Sequence, residues 1–340
     1  MMPIVQRHLI PSILRLMALG LAVGVHAESS AADWERLPPL PSPNGGFACG
    51  VSARKIVIVG GTLWKDDIKH WLRAVHSYDP KTRKWTELPG LSEALAYGVV
   101  CQKQTSDGAS SFSTLGGSNG THVRKNLITP DGRPPIPLPE LPDELVLCAG
   151  GVIDDARIFV GGTNDTSNLA GCVNSAHLVR IANYKWCVTK LPDYPGRPFC
   201  TAASAVAGDE LFIFGGANWD DSAKAVTNTA EAYAFSPKHN TWRKLKPYPF
   251  AARGVTSVAL DDHHLYLAGG YGGSPEKFFA EAFIYDTISD SYAKATPLPY
   301  AALVTLLKHE GWLYCLGGED MKKHRVDAFW RISLGDVKKL

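Results

Sequence analysis

Two residues near the C-terminus have the types and spacing to do chemistry together. In the segment LYCLGGEDMKKHRVDAFW, residues 313–330, Glu319 directly follows a Gly-Gly doublet and Arg325 stands six residues later. A positioned carboxyl group can take up or release a proton in a transition state. A guanidinium can hold an anion through paired, charge-assisted hydrogen bonds. Together they suit proton transfer on a substrate that carries negative charge. An ion pair that merely ties down a loop uses the same two residue types, and spacing alone favours it.

The doublet places this pair within a repeat. Gly-Gly closes an apolar run at 60–61, 116–117, 161–162, 215–216, 269–270 and 317–318, after KIVIV, SFSTL, RIFV, LFIF, LYLA and LYCL. Each run is short and β-rich, with glycine where backbones approach closely. A further doublet, Gly150-Gly151, stands early in a repeat and is not counted. After the doublet come a polar loop, a strand with an aromatic, a turn, and a Trp or Tyr leading into a Pro-rich link. VHSYDPKTRKWTELP has Trp85 in that place, EAYAFSPKHNTWRKLKPYP has Trp242, and FIYDTISDSYAKATPLP has Tyr292. IANYKWCVTKLP, with Trp186, is shorter, and the second copy, LITPDGRPPIPLPELP, lacks the aromatic.

This pattern of GG, YDP, W and LP resembles the Kelch repeat. The resemblance implies an all-β fold over residues 28–340, a six-bladed Kelch β-propeller of four-stranded antiparallel blades. An open ring would leave sheet edges exposed. The repeats begin with DWERLPPLP, the end of a copy, and finish with DAFWRISL, a copy without its last strand. The strand around Trp34 is therefore expected to complete the last blade.

In such a ring the loops after the doublets gather at one end of the channel. They carry Trp64, Asn119, Asn164, Asn218, Trp219 and Tyr271, and the innermost strands begin with Phe47, Tyr97, Arg197 and Arg253. Aromatics, amides and a few charges in a concave pocket suit a polyhydroxylated ligand. For any single one of them, a solvated loop residue is the favoured reading, and Kelch blades often keep an arginine at the last two positions for contacts between blades.

The segment GEDMKKHRVDAF resembles the glutamate–arginine blade of the bacterial N-acetylneuraminate epimerases, the sialic acid mutarotases. That family has Gly-Glu, five residues, Arg, and a strand containing Asp-Ala. Its next blades start GGFAG and AYG, and this chain has GGFACG at 45–50 and AYG at 96–98. The chain starts elsewhere in the ring, as in a cyclically permuted branch of the family. One departure is the loop between Glu and Arg: the family usually has a Pro-Gly there, whereas this loop reads Asp320-Met321-Lys322-Lys323-His324. The resemblance implies an isomerase that interconverts the α and β anomers of N-acetylneuraminate. Opening a cyclic hemiketal needs one group to remove the anomeric hydroxyl proton and one to protonate the ring oxygen. Glu319 is the candidate acid–base group and Arg325 the candidate clamp for the substrate carboxylate, with Arg253 or Arg197 as second partner.

A non-catalytic carbohydrate- or protein-binding propeller is the alternative, since fold does not fix function. A Kelch-built copper oxidase would need convergent His and Tyr ligands. The histidines are scattered, and His263-His264 sit in a DDHH turn. No metal and no cofactor are expected.

Residues 1–27 read as a secretory signal peptide: Arg7, His8 and Arg15 precede LMALGLAVGV, and Val25-His26-Ala27 precede the expected cut. The apolar run is too short to span a bilayer. The mature protein is expected to be exported, soluble and free of the membrane, in the periplasm if the source is a Gram-negative bacterium. With 340 residues, 45% hydrophobic, 20% charged and net charge +2, the chain lacks the basic footprint of a nucleic-acid binder. Of seven cysteines, Cys49, Cys101, Cys148 and Cys200 are expected as small buried residues. Cys172 and Cys187 flank an expected hairpin and are candidates for a disulfide. No Cys or His spacing suggests zinc.

Overall fold

Six times, the apolar run before a doublet forms the second strand of an antiparallel sheet. The computed structural model describes residues 34–104, 110–130, 134–138, 140–142 and 145–340; the expected signal peptide lies outside them. The first sheet runs in the order Ala48–Ser52, Lys55–Val59, Val75–Asp79, Lys84–Leu88. Four later sheets repeat this order, starting from Val99–Gln104, Ala149–Ile153, Ala203–Ala207 and Thr256–Ala259. Gly150-Gly151 indeed lies in a first strand. The last sheet takes Leu303–His309, Trp312–Met321 and Phe329–Ser333 from the C-terminal repeat, and its fourth strand is Glu35–Arg36, paired through Glu35↔Arg331. The first strands neighbour one another in chain order, and Leu303–His309 also neighbours Ala48–Ser52. The fold is all-β, with two short 3-10 turns among the described residues, consistent with a β-propeller. No helix among the described residues is long and apolar enough to cross a membrane.

The repeat's aromatic and its Pro-rich link prove to be two halves of one contact. Trp85 Nε1 donates to the Pro38 carbonyl at 3.3 Å, Trp242 to Pro192 at 2.8 Å, and the Tyr292 hydroxyl to Lys246 at 2.9 Å. Each thus reaches the link of the preceding repeat. Trp34 Nε1 donates to Pro297 at 2.9 Å, joining the N-terminal strand to the fifth repeat in the same way. The Glu35 carboxylate accepts from Arg331 Nε at 2.7 Å and is also paired with Arg83. Burial alone would raise this carboxyl's pKa, but the two guanidinium groups outweigh it and hold it below the usual range. The core lies between neighbouring sheets: Phe212 and Phe214 of one pack with Leu265, Leu267 and Tyr285 of the next. Fully burying such a side chain contributes about 1.5–3 kcal/mol.

A triangle of backbone hydrogen bonds ties five of the doublets to the next repeat, and the second doublet makes two of its three bonds. In the sixth repeat Gly318 N–H donates to the Asn44 carbonyl (2.7 Å), Val326 N–H to Gly318 (3.0 Å), and Asn44 N–H to Val326 (3.1 Å). The corresponding bond from the second glycine recurs at Gly61, Gly117, Gly162, Gly216 and Gly270.

The cysteine reading needs one correction. None of the seven cysteines is in a disulfide. Cys172 precedes the strand Ala176–Ala182, whereas Cys187 pairs with Arg180 near its other end, so a full strand length separates them. Cys49, Cys101 and Cys200 are buried as expected, and Cys148 is half-buried.

Gly318 has φ +106°, and a Cβ there would stand 2.0 Å from the Leu303 carbonyl oxygen. Gly318→Ala is therefore expected to lose about 1–3 kcal/mol through backbone strain and more through the clash. Gly311→Ala, at φ +81° with nothing within 4 Å, should lose only the backbone part. Urea unfolding of the two variants measures the difference.

Candidate functional site

Glu319 and Arg325 face each other because the sixth doublet opens a hairpin. The strand Trp312–Met321 runs through Gly317-Gly318 and turns back into His324–Arg325, with Glu319 and Arg325 as direct cross-strand partners. Six residues of spacing are thus one short hairpin. The Glu319 carboxylate forms an ion pair with Arg325 Nη1. Arg325 Nη2 donates to the Tyr97 hydroxyl at 3.1 Å and lies 3.4 Å from Thr62 Oγ1. Its Nε is buried without a hydrogen-bond partner. The departing loop is stapled from both sides: His324 pairs with Asp320, and Lys323 Nζ with Asp67 at 3.0 Å.

Tyr97 comes to this place by its backbone. Gly46, Tyr97, Leu147, Thr201 and Gly254 share a left-handed conformation, with φ between 55° and 70°. Their N–H groups form a collar, Tyr97 to Gly46 (2.8 Å), Leu147 to Tyr97 (3.0 Å), Thr201 to Leu147 (2.9 Å) and Gly254 to Thr201 (2.8 Å). The sixth repeat replaces this step with a register shift between Leu303 and Thr305. All five collar residues line a cavity of about 430 Å³, together with Phe47, Lys69, Arg253, Leu303, Glu319 and Arg325. GGFACG supplies its flat wall: a Cβ at Gly45 would stand 2.8 Å from Arg325 Cδ, and one at Gly46 2.2 Å from the Tyr97 ring.

Of the sequence candidates, this cavity brings together Glu319, Arg325, Arg253, Tyr97 and Phe47. Tyr271 lines an adjoining groove of about 770 Å³ that shares Arg253, Leu303 and Glu319 with it. The Arg253 guanidinium stacks 4.7 Å from the Tyr271 ring and donates to Asn228 Oδ1 at 2.7 Å. The others sit elsewhere. Arg197 donates to Asn218 Oδ1 at 3.0 Å, and the buried Asn218 to the Pro198 carbonyl at 2.7 Å. Trp219 Nε1 donates to Asp221 at 3.1 Å. The Asn119 side chain is used within its own hairpin and on Glu93, and Asn164 lines a separate polar pocket. Trp64 faces Lys69 and Lys323, with its Nε1 buried.

Lys69 is the residue that sequence reasoning missed. Its Nζ lies 4.9 Å from the Tyr97 ring centroid and 5.2 Å from that of Trp71. The signal was present in WKDDIK: Asp66 and Asp67 both take positive φ (51° and 61°), as in a two-residue type I′ hairpin, which pairs Trp64 with Lys69. The cavity thus holds three cations against one carboxylate among its described lining residues. Burial by itself would raise the Tyr97 phenol's pKa, but Arg325 and Lys69, helped by the Thr62 hydrogen bond, outweigh it and bring it below the ordinary tyrosine value. The site therefore offers a carboxylate, a phenol whose pKa is lowered and a cationic floor, a set suited to moving protons on an anion.

Residues 149–338 match the family model described as the KLHDC2/KLHL20/DRC7 Kelch-repeats domain, and residues 43–92 match the Kelch motif. The chain belongs to the Kelch-repeat family. This Kelch chain is similar to Kelch-like protein terF of Aspergillus terreus, 26% identical over 289 residues, 78% of this chain and 60% of that protein. It is also similar to the N-acetylneuraminate epimerase of Salmonella enteritidis, 28% identical over 228 residues, 57% of each chain. Kelch-like protein 35 of Mus musculus is 32% identical over 123 residues, 35% of this chain and 19% of that protein. The Kelch chain thus spans less than two thirds of the length of these relatives.

Neutralising the cations should return Tyr97 towards ordinary behaviour. The Tyr97 phenol, read as the ultraviolet difference between wild type and Tyr97→Phe, is expected to ionise below free tyrosine. Lys69→Met should shift it upward, and an unshifted titration would show that Lys69 does not act on it.

Proposed function

We propose that this protein is an exported sugar-acid mutarotase, which opens and recloses the cyclic hemiketal of N-acetylneuraminate or a close relative. The observation that carries the reading is the cross-strand pair of Glu319 and Arg325 on the wall of a cavity that also holds Lys69 and Arg253. The name N-acetylneuraminate epimerase on one relative supports the substrate class. In this reading residues 1–27 are a signal peptide and residues 28–340 a six-bladed propeller. The pairing of Glu35–Arg36 with Phe329–Ser333 and the Gly318–Asn44 hydrogen bond support a ring closed by the N-terminal strand.

The substrate carboxylate lies among Arg325, Arg253 and Lys69. Glu319 takes the proton of the anomeric hydroxyl as the bond from the anomeric carbon to the ring oxygen breaks. The ring oxygen receives a proton from the Tyr97 phenol or from water, the anomeric carbon turns its other face, and the steps reverse. Atoms balance without a cofactor, since the reaction is an isomerisation.

A second reading, a non-catalytic carbohydrate- or protein-binding propeller, is favoured by one feature. The outer nitrogens of Arg325 are already engaged by Glu319, Tyr97 and Thr62. In that case the pair only holds the hairpin.

Proton NMR of freshly released α-N-acetylneuraminate separates the two. The protein is expected to speed the appearance of the β anomer, and Glu319→Gln to reduce that acceleration by about 10²–10⁴-fold, the span of a lost acid–base group. Arg325→Ala should weaken binding as well. A fully active Glu319→Gln protein would contradict the assignment, and no acceleration by wild type would favour binding.

A further inference from the structure

The triangle that seats Arg325 against Gly45 in the sixth repeat seats a pair of cysteines in the third. There Gly162 N–H donates to Phe199 (2.8 Å), Val173 N–H to Gly162 (3.0 Å) and Phe199 N–H to Val173 (3.1 Å). The residue before the middle corner and the residue after the last corner are thereby turned towards each other. In the fourth repeat they are Asn228 and Arg253, which are hydrogen-bonded at 2.7 Å. In the fifth they are Phe278 and Leu303, which both line the groove beside the cavity. In the third they are Cys172 and Cys200.

We infer that Cys172 and Cys200 form a dithiol modification site that closes to a disulfide when a low-molecular-weight disulfide or a thiol–disulfide exchange protein serves as oxidant. This does not rest on the proposed catalytic function. Disulfide geometry requires two Cβ atoms directed at each other from close backbones, and the triangle fixes both backbones. The chemistry is asymmetric. Cys172 is half-buried, and the neighbouring Cys200 thiol outweighs burial to lower its thiol's pKa. Cys200 is buried, and the neighbouring Cys172 thiol, aided by burial, raises its thiol's pKa. The Cys172 thiolate therefore attacks a sulfur of the oxidant and displaces one thiolate. Cys200 then loses its proton and attacks the Cys172 sulfur of the mixed disulfide, releasing the second thiol. Two electrons and two protons pass to the oxidant.

The bond would lie in the cavity wall. Thr166 and Leu169, in the loop that Cys172 closes, line the cavity, and so do Thr201 and Ala202 beside Cys200. Cys187, on the strand Lys185–Leu191 and opposite Arg180, has no such partner position.

The test treats the wild-type protein with oxidised glutathione, then denatures, alkylates and digests it. The expected result is a peptide pair joined through Cys172 and Cys200, and two fewer alkylated thiols than the seven of the reduced chain. The thermal midpoint should rise by several degrees and fall again on reduction. Cys172→Ser should keep its other thiols alkylatable under the same treatment. Cys172 and Cys200 both remaining as thiols, stable glutathione on Cys172, or a link from either to Cys148 would overturn the inference.

Discussion

The backbone triangle after the Gly-Gly doublets is the constraint on which the rest depends. Its first bond needs a second glycine at φ between 90° and 113°, a conformation costly for any residue with a Cβ. Once made, it joins the end of one strand, the return of the following hairpin and the start of the next repeat. The residues before the middle corner and after the last corner are then brought towards each other. The fold leaves the choice of those side chains open, so that one junction can hold Arg325 over Gly45, another Arg253 on Asn228, and a third two thiols. Apolar packing between sheets and the aromatic-to-link hydrogen bonds hold the junctions in place from outside.

The cavity follows from an interruption in this regularity. Five repeats turn a left-handed residue inward, four hydrogen bonds link these residues in series, and the sixth repeat continues as strand through Leu303 and Thr305. Space opens beside that step, and Glu319 and Arg325 stand on its wall. Their pair is poorly solvated, with side chains only 21% and 7% exposed. Withdrawing two charges from water is costly, and a low-dielectric pair repays that only with good geometry and further hydrogen bonds. Tyr97 and Thr62 supply those to Arg325. With Arg325 paired to Glu319 and Arg253 to Glu276 at 3.5 Å, Lys69 leaves the cavity positive, which favours an anionic ligand and lowers the phenol's pKa.

How far the sequence could be read depended on whether a signal was local. The doublets, the aromatic before each Pro-rich link and the split last sheet were legible because each reflects a repeated backbone requirement; Tyr292 even takes the Trp place as expected. Glu319 and Arg325 were legible because their opposition is set by one hairpin. The rim residues were not. Arg197 and Asn218 satisfy each other, and Asn119 satisfies its own turn, outcomes decided by side-chain partners that spacing does not encode. Lys69 was missed because its role depends on an Asp-Asp turn that reverses the chain within two residues. The approach of Cys172 to Cys200 was missed because it spans two repeats, and only the triangle brings those ends together.

The most direct test of the central claim is a crystal structure of the protein with N-acetylneuraminate bound. The expected result places the sugar carboxylate among Arg325, Arg253 and Lys69, with the anomeric hydroxyl in hydrogen-bond reach of the Glu319 carboxylate. A sugar held instead in the polar pocket around Ser118, His122 and Asn164, with the Glu319–Arg325 pair untouched, would contradict it.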